Sequence, residues 1–364
     1  MKTEEGLEKI LCATYEKYGY LPFKMNKFEE YDLYAQNKDF LVSDRIVTFT
    51  DTDGKLMALK PDVTLSIVKN APLKEGYKQK VSYTENVYRV SESTNQFKEI
   101  MQTGLECVGD VGLYDVYEVV FLAAKSLSLI SNRFALDIAD MGLFSAVLDE
   151  AGVDEKLKKK LSKLIAEKNK HDARLLCEEN GLSNADADKI CSFIDTYGDT
   201  ASVVEKLKAI CSSQKALKAI ERLETLSTLL KGTEFSSKIR FDFSVVSSAT
   251  YYNGIVFKGF VQGVPESVLS GGQYDRLLKK MGKKGGALGF ALYLDLLENL
   301  KKENRAYDVD VLVLYDKNTP VEEVVKTVGS LVQAGESVSA QQTDKEIRYQ
   351  RLVDLRVRGD EKND

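Results

Sequence analysis

Residues 80–109 read KVSYTENVYRVSESTNQFKEIMQTGLECVG, and the fold turns on how this stretch alternates. A Val- and Tyr-rich run, a polar break at SESTNQ and a second run make two strands joined by a loop. Within QFKEIMQTGLE (96–106), alternation sets Gln102, Gly104 and Glu106 on one face and Met101, Thr103 and Leu105 on the other. An amide, a glycine and a carboxylate on one face are costly to bury alone, so the face meets solvent or a polar ligand. Arg89, across the loop, offers a planar fork suited to phosphate or carboxylate. A solvated sheet face with a surface arginine would read the same, and this stretch alone leaves both readings open.

Strand signals continue on either side. VTFTDTDGKLMALKP (47–61) places two β-rich runs around Asp53-Gly54, a strong hairpin signal. In LKPDVT (59–64), Pro61 breaks the strand and sets Asp62 and Thr64 two residues apart, a carboxylate and a hydroxyl suited to an ammonium group. The alternative is a turn held by local side-chain-to-backbone bonds. Helical spacing of Leu7, Ile10, Leu11, Thr14 and Tyr15 predicts a helix over 3–18, and a second lies over 113–132. FALDIADM (134–141) reads as a strand. From about 142 to 232, Lys, Glu, Leu and Ala dominate, which predicts an all-helical block holding His171 as a surface residue. Strands resume at IRFDFSVV (239–246) and YYNGIVFKGFVQG (251–263). SGGQYDRLL (270–278) comes next, where Gly271-Gly272 admits a close approach of backbone and Tyr252 and Tyr274 offer flat walls. GALGFALYLDLLENL (286–300) passes from strand to helix, and after a charged linker a small β-α-β tail begins at DVLVLY (310–315). Hairpins and long loops, with no regular strand–helix alternation, predict an α+β fold.

Composition narrows the function. The 364 residues carry 51 Lys+Arg against 56 Asp+Glu, a net charge of −5, which argues against a broad nucleic-acid surface. One histidine excludes a multi-His metal site within the chain, and any Ser-His or Cys-His pair would have to use His171. Five cysteines, odd in number and without CxxC spacing, fit a reducing compartment. No apolar run reaches the roughly 18 residues that a membrane span needs, and the acidic amphipathic N-terminus is unlike a signal peptide, so a cytoplasmic location is expected.

Taken in order, ALKPDVT, YRVSES…QFKEIMQTGLECVG, YYNGIVF, VLSGGQYD and GGALGFALYLDLL resemble the histidyl-tRNA synthetase catalytic core, a class II aminoacyl-tRNA synthetase fold of antiparallel sheet and flanking helices. The resemblance implies a core over 1–305 with its helical insertion at about 142–232, and a 306–364 tail that resembles a truncated anticodon-binding domain. Departures from the synthetase pattern carry as much weight. Where its third motif ends Gly-x-Glu-Arg, this chain has Tyr293, Asp295 and Leu296, so the phosphate-gripping arginine is absent. The histidine-specific arginine falls at Ser247, a second arginine position at Gly254 and a third at Gln273. This combination is similar to the synthetase paralogues that serve as regulatory subunits of ATP phosphoribosyltransferase. Their resemblance implies a non-catalytic chain without metal or cofactor, paired with a short-form catalytic subunit, self-associating as a dimer, and not binding tRNA. It also implies a histidine pocket. In that pocket Asp62 and Thr64 hold the α-amino end, Arg89, Gln102, Glu106 and Tyr251 line it, Tyr252 and Tyr274 flank the imidazole, and Gly271 and Gly272 border it. A divergent synthetase or another amino-acid or tRNA sensor is the alternative expectation.

Overall fold

The computed structural model describes residues 4–41, 45–72, 76–90, 95–248, 252–297, 307–345 and 347–356, with the side chains of residues 4, 5, 247 and 248 left aside. Two compact units divide the chain, 2–297 and 298–364.

The strands of the larger unit run in chain order as β1 (Leu21–Pro22), β2 (Phe28–Glu30), β3 (Thr48–Thr50), β4 (Leu56–Leu59), β5 (Lys78–Val90), β6 (Phe97–Gly109), β7 (Phe134–Asp140), β8 (Tyr197–Asp199), β9 (Ile239–Asp242), β10 (Ile255–Val261), β11 (Leu269–Gln273) and β12 (Gly286–Tyr293). Nine of them form one sheet in the order β1-β5-β6-β12-β11-β10-β7-β9-β8, and β2-β4-β3 form a separate small sheet. The β5–β6 pair is the long hairpin expected from residues 80–109, in antiparallel register from Lys78 opposite Gly109 to Val90 opposite Phe97. The β3–β4 hairpin turns through Gly54, whose φ of 80° favours glycine.

The sheet is mixed where the sequence predicts only antiparallel pairs: β1 joins β5, and β7 joins β9, in parallel. The expected all-helical block holds six helices, Met141–Glu150, Glu155–Ala166, Lys170–Glu179, Asn184–Ile194, Thr200–Ile210 and Gln214–Lys231. It also contains β8, which completes one edge of the main sheet. Three residues are too few to print a period-2 signal against a helical background, so this strand is set by its pairing partner. His171 is exposed on the helix Lys170–Glu179, as expected.

Apolar periodicity decides which faces are buried. Helix Glu4–Glu16 turns Leu7, Leu11 and Tyr15 inward. The Tyr15 hydroxyl lies 2.9 Å from the Ser126 hydroxyl on helix Leu113–Ile130. At the start of the LKPDVT stretch, Lys60 is 1% exposed and its ammonium pairs with Glu85 on β5. Its carbonyl accepts from the Tyr88 amide at 2.9 Å, so one residue fastens the small sheet to the large one. We expect Lys60→Met, which keeps the aliphatic stem but strands the Glu85 carboxylate, to cost about 3 kcal/mol in urea unfolding. A cost below about 1 kcal/mol would show that solvent already shields Glu85.

The smaller unit has β13 (Val309–Leu314), β14 (Val338–Gln341) and β15 (Tyr349–Asp354) in the parallel order β14-β13-β15, with a helix at Val321–Gln333. Its core is the buried run Val311–Leu314. Among the described residues, no helix is long and apolar enough to cross a membrane.

Candidate functional site

The polar face of β6 closes on a cavity of about 470 Å³. Glu106, 2% exposed, stands at its floor. Burial pushes its carboxyl up to about 8, against the hydrogen bonds that the Tyr274 and Thr64 hydroxyls make to it. Thr64 donates to Oε1 at 2.9 Å, and Tyr274 donates to Oε2. Three distant parts of the sequence therefore meet on one carboxylate. The carboxylate fits only because β12 presents Gly289 opposite Glu106 in the ladder. A Cβ there would stand 1.7 Å from Oε2 and 2.3 Å from the Leu105 carbonyl oxygen.

Further back along the same face of β6, Gln102 also lines the cavity at 2% exposure. Its side-chain Nε2 has no hydrogen-bond partner among the described residues. A buried donor left open is costly, and its place in the wall makes it available to an acceptor on a bound molecule.

Asp62 and Thr64 come together as expected, but by a different local structure. Strand β4 stops at Leu59, and Thr64 opens the helix Thr64–Asn70. Asp62 Oδ1 accepts from the Leu65 amide at 2.9 Å, the local side-chain-to-backbone bond of the bland reading, while the residue also lines the cavity. Burial pushes its carboxyl up, and the Leu65 amide and the Arg89 guanidinium oppose that shift. Arg89 reaches the same cavity and donates from Nε to the Pro61 carbonyl at 2.8 Å, which leaves the rest of its fork for Asp62 or a ligand.

Of the aromatic walls, Tyr252 and Tyr274 line the cavity. Burial pushes the Tyr252 hydroxyl well up, with the Ser270 hydroxyl opposing. Tyr251 lies outside the described residues. Gly271 and Gly272 are not in the cavity wall: the close approaches they permit are from the Gly289 carbonyl, Phe257 and Phe290 to Gly271, and from the Ile255 carbonyl and the Tyr252 ring to Gly272. Gln273 turns its Oε1 to the Ile255 amide at 2.9 Å and faces a different hollow.

Sequence reasoning passed over Gly289, Tyr83, Lys258 and Ser270, all in the wall, and gave Tyr293 no place there. Tyr83 and Lys258 point inward by alternation in strands already recognised. Gly289 needed the β6–β12 register before its role could be seen. At the end of β12, Tyr293 puts a phenol into the wall at the position where the synthetase motif calls for glycine.

The site thus holds two buried carboxylates, a guanidinium, an open amide donor and several phenols. That set suits a small zwitterion with a polar ring: a cation at Glu106 and Asp62, an anion at Arg89 and Gln102.

Known proteins share this fold. The histidyl-tRNA synthetase family model matches residues 1–297. The ATP phosphoribosyltransferase regulatory subunit of Clostridium botulinum (strain 657) is 31% identical over 323 residues, 86% of this chain and 75% of that protein. A crystal structure described as an ATP phosphoribosyltransferase regulatory subunit/histidyl-tRNA synthetase from Bacillus halodurans superposes with a TM-score of 0.73 at 22% identity, covering 96% of this chain and 94% of that one. A chain of the ATP phosphoribosyltransferase complex from Thermotoga maritima gives 0.63 at 20% identity, covering 81% and 98%. With a synthetase-like core confirmed and the nucleotide-gripping arginine missing from it, the chain belongs to the ATP phosphoribosyltransferase regulatory subunit family, on the histidyl-tRNA synthetase fold.

Proposed function

We propose that this chain senses histidine and passes its presence to a short-form catalytic ATP phosphoribosyltransferase subunit, as feedback on the first step of histidine biosynthesis. The observation that carries the reading is the Glu106 carboxyl held by Thr64 and Tyr274 beside the open Gln102 donor. These groups can receive both ends of an amino acid. The absence of the third-motif arginine at Leu296 supports a non-catalytic role, since nothing at that position would grip a triphosphate. The aromatic pair Phe28–Phe49, 5.5 Å apart and exposed on the small sheet, supports self-association as a dimer. The five cysteines are free, which supports a cytoplasmic setting.

In this reading histidine favours one of two states of the assembly, and the coupling is its difference in affinity between them. The test is a histidine titration of the isolated chain by calorimetry, beside a pull-down of the catalytic subunit. Saturable binding of histidine and capture of that subunit are expected. Steady histidine-dependent pyrophosphate exchange by the isolated chain would overturn the non-catalytic role and favour a divergent synthetase.

A further inference from the structure

The two hydroxyls that hold Glu106 come from the starts of two short helices, and one lysine closes the far ends of both. Thr64 is the first residue of the helix Thr64–Asn70, and Tyr274 directly precedes the helix Asp275–Lys280. Each is rigid and only about 10 Å long, so a shift at its C-terminal end is felt at its N-terminal end. Their inner faces share one buried cluster, in which Leu65, Ile67 and Val68 join Leu277, Leu278 and Ala287.

Lys283 lies just past the second helix. Gly282, at a φ of 71°, turns the chain out of that helix, and the Lys283 amide donates back to the Leu278 carbonyl at 2.8 Å. That bond pins its backbone. The side chain runs to the other helix, where its ammonium donates to the carbonyls of Val68, Lys69 and Ala71, at 2.9 Å for the last two. The last carbonyls of a helix have no partners within it, and an ammonium brings three donors and a charge that suits the negative end of the backbone dipoles. The two helices are thus joined at one end through Glu106 and at the other through Lys283. Apolar packing is not directional and lets a helix slide along its axis. Hydrogen bonds at its end do fix the axial position.

We propose that Lys283 is a positioning residue of the pocket: by tying the C-terminal ends of these helices together, it holds the Thr64 and Tyr274 hydroxyls in place on the Glu106 carboxylate. It thereby sets how well that carboxylate receives a ligand's ammonium group. This role rests on the amino-acid reading of the pocket.

The experiment compares Lys283→Met with Lys283→Arg in the full chain. The first keeps the aliphatic stem and removes every donor, whereas the second keeps a cation that can cap the same carbonyls. Histidine titrations at a series of pH values read the affinity. Infrared difference spectra over the same series read the Glu106 carboxyl without any ligand, with Glu106→Gln marking its band. Asp62, Tyr83 and Tyr252 also face Glu106 and remain as a common background. Lys283→Met should weaken histidine binding at least about fivefold and raise the Glu106 midpoint by about half a pH unit or more, because the carboxylate loses a well-placed donor. Lys283→Arg should restore most of both. A cap that only stabilises the fold would lower the urea midpoint and leave the Glu106 midpoint where it is, and that result would overturn the role. If Lys283→Met does not fold, Lys283→Gln is held to the same two readouts and the same direction of shift. A raised Glu106 midpoint in the variant, with no histidine binding by the wild type, would leave the positioning role standing and defeat the histidine reading. Histidine binding by the wild type with an unmoved midpoint in the variant would do the opposite.

Discussion

Gly289→Ala is expected to destroy the pocket and to cost about 3 kcal/mol of stability. The added methyl has nowhere to go. It would sit 1.7 Å from Glu106 Oε2 and 2.3 Å from a main-chain oxygen of β6, so a rotamer change at Glu106 relieves only the first clash. The second requires β12 and β6 to part, in the middle of a ladder paired from Gly286–Gly109 to Tyr293–Gln102. Histidine binding should fall below detection and the urea midpoint should drop together. A variant that keeps wild-type affinity would mean that Glu106 does not contact the ligand. The double variant Gly289→Ala/Glu106→Ala should recover part of the lost stability and none of the binding, which separates the side-chain clash from the backbone clash.

The second large effect concerns protons. In the empty pocket the Glu106 carboxyl titrates at about 8, so at pH 7 it is mostly neutral. A ligand α-ammonium, charged throughout this range, favours the carboxylate, so binding expels a proton. Affinity should rise about tenfold between pH 6.5 and 8 and then level off. Glu106→Gln should flatten that profile and weaken binding at pH 8 by at least a hundredfold, in line with a lost charge-assisted contact of about 3 kcal/mol. Calorimetry in buffers of different ionisation enthalpy would count the proton directly. A flat wild-type profile would place the ligand's cation elsewhere. The same raised value has a stability sign. The empty protein's advantage from a neutral Glu106 is complete below the unfolded value of 4.5 and is lost as pH rises toward 8. The loss is on the order of 5 kcal/mol, and Glu106→Gln should remove it. The mutation that kills binding should therefore steady the unliganded protein under alkaline conditions.

Much of this arrangement can be read from residues alone, and the limits are physical. Gln102 and Glu106 were legible because strand alternation is strict and their face carried polar groups that a buried sheet does not tolerate unpaired. The order of the β5–β6 hairpin, the β3–β4 hairpin and the helical insertion came from periodicity. Asp62 and Thr64 were brought together past the strand break, but the helix that Thr64 opens was not foreseen. A proline can end a strand yet carries no signal for the element that comes next. At Gly271 and Gly272 the close approach was legible but its source was not: a glycine pair does not say what comes near, and here it is neighbouring strands and the side chains of Phe257, Phe290 and Tyr252. Gly289 was missed for the converse reason: its meaning lies in what stands across the sheet, which only the register tells. Strands β8 and β15 depend likewise on neighbours remote in sequence.

The meeting of Tyr274 with Glu106 spans 168 residues of chain, with the whole helical insertion in between. Closing so long a loop is entropically slow, although each further doubling of its length adds little. The pocket is thus among the last features of the larger unit to assemble. A nascent or clipped chain that stops before β12 lacks Gly289 and has no site at all. A ligand held at Glu106 would consequently bind only a fully folded core and would stabilise it by mass action.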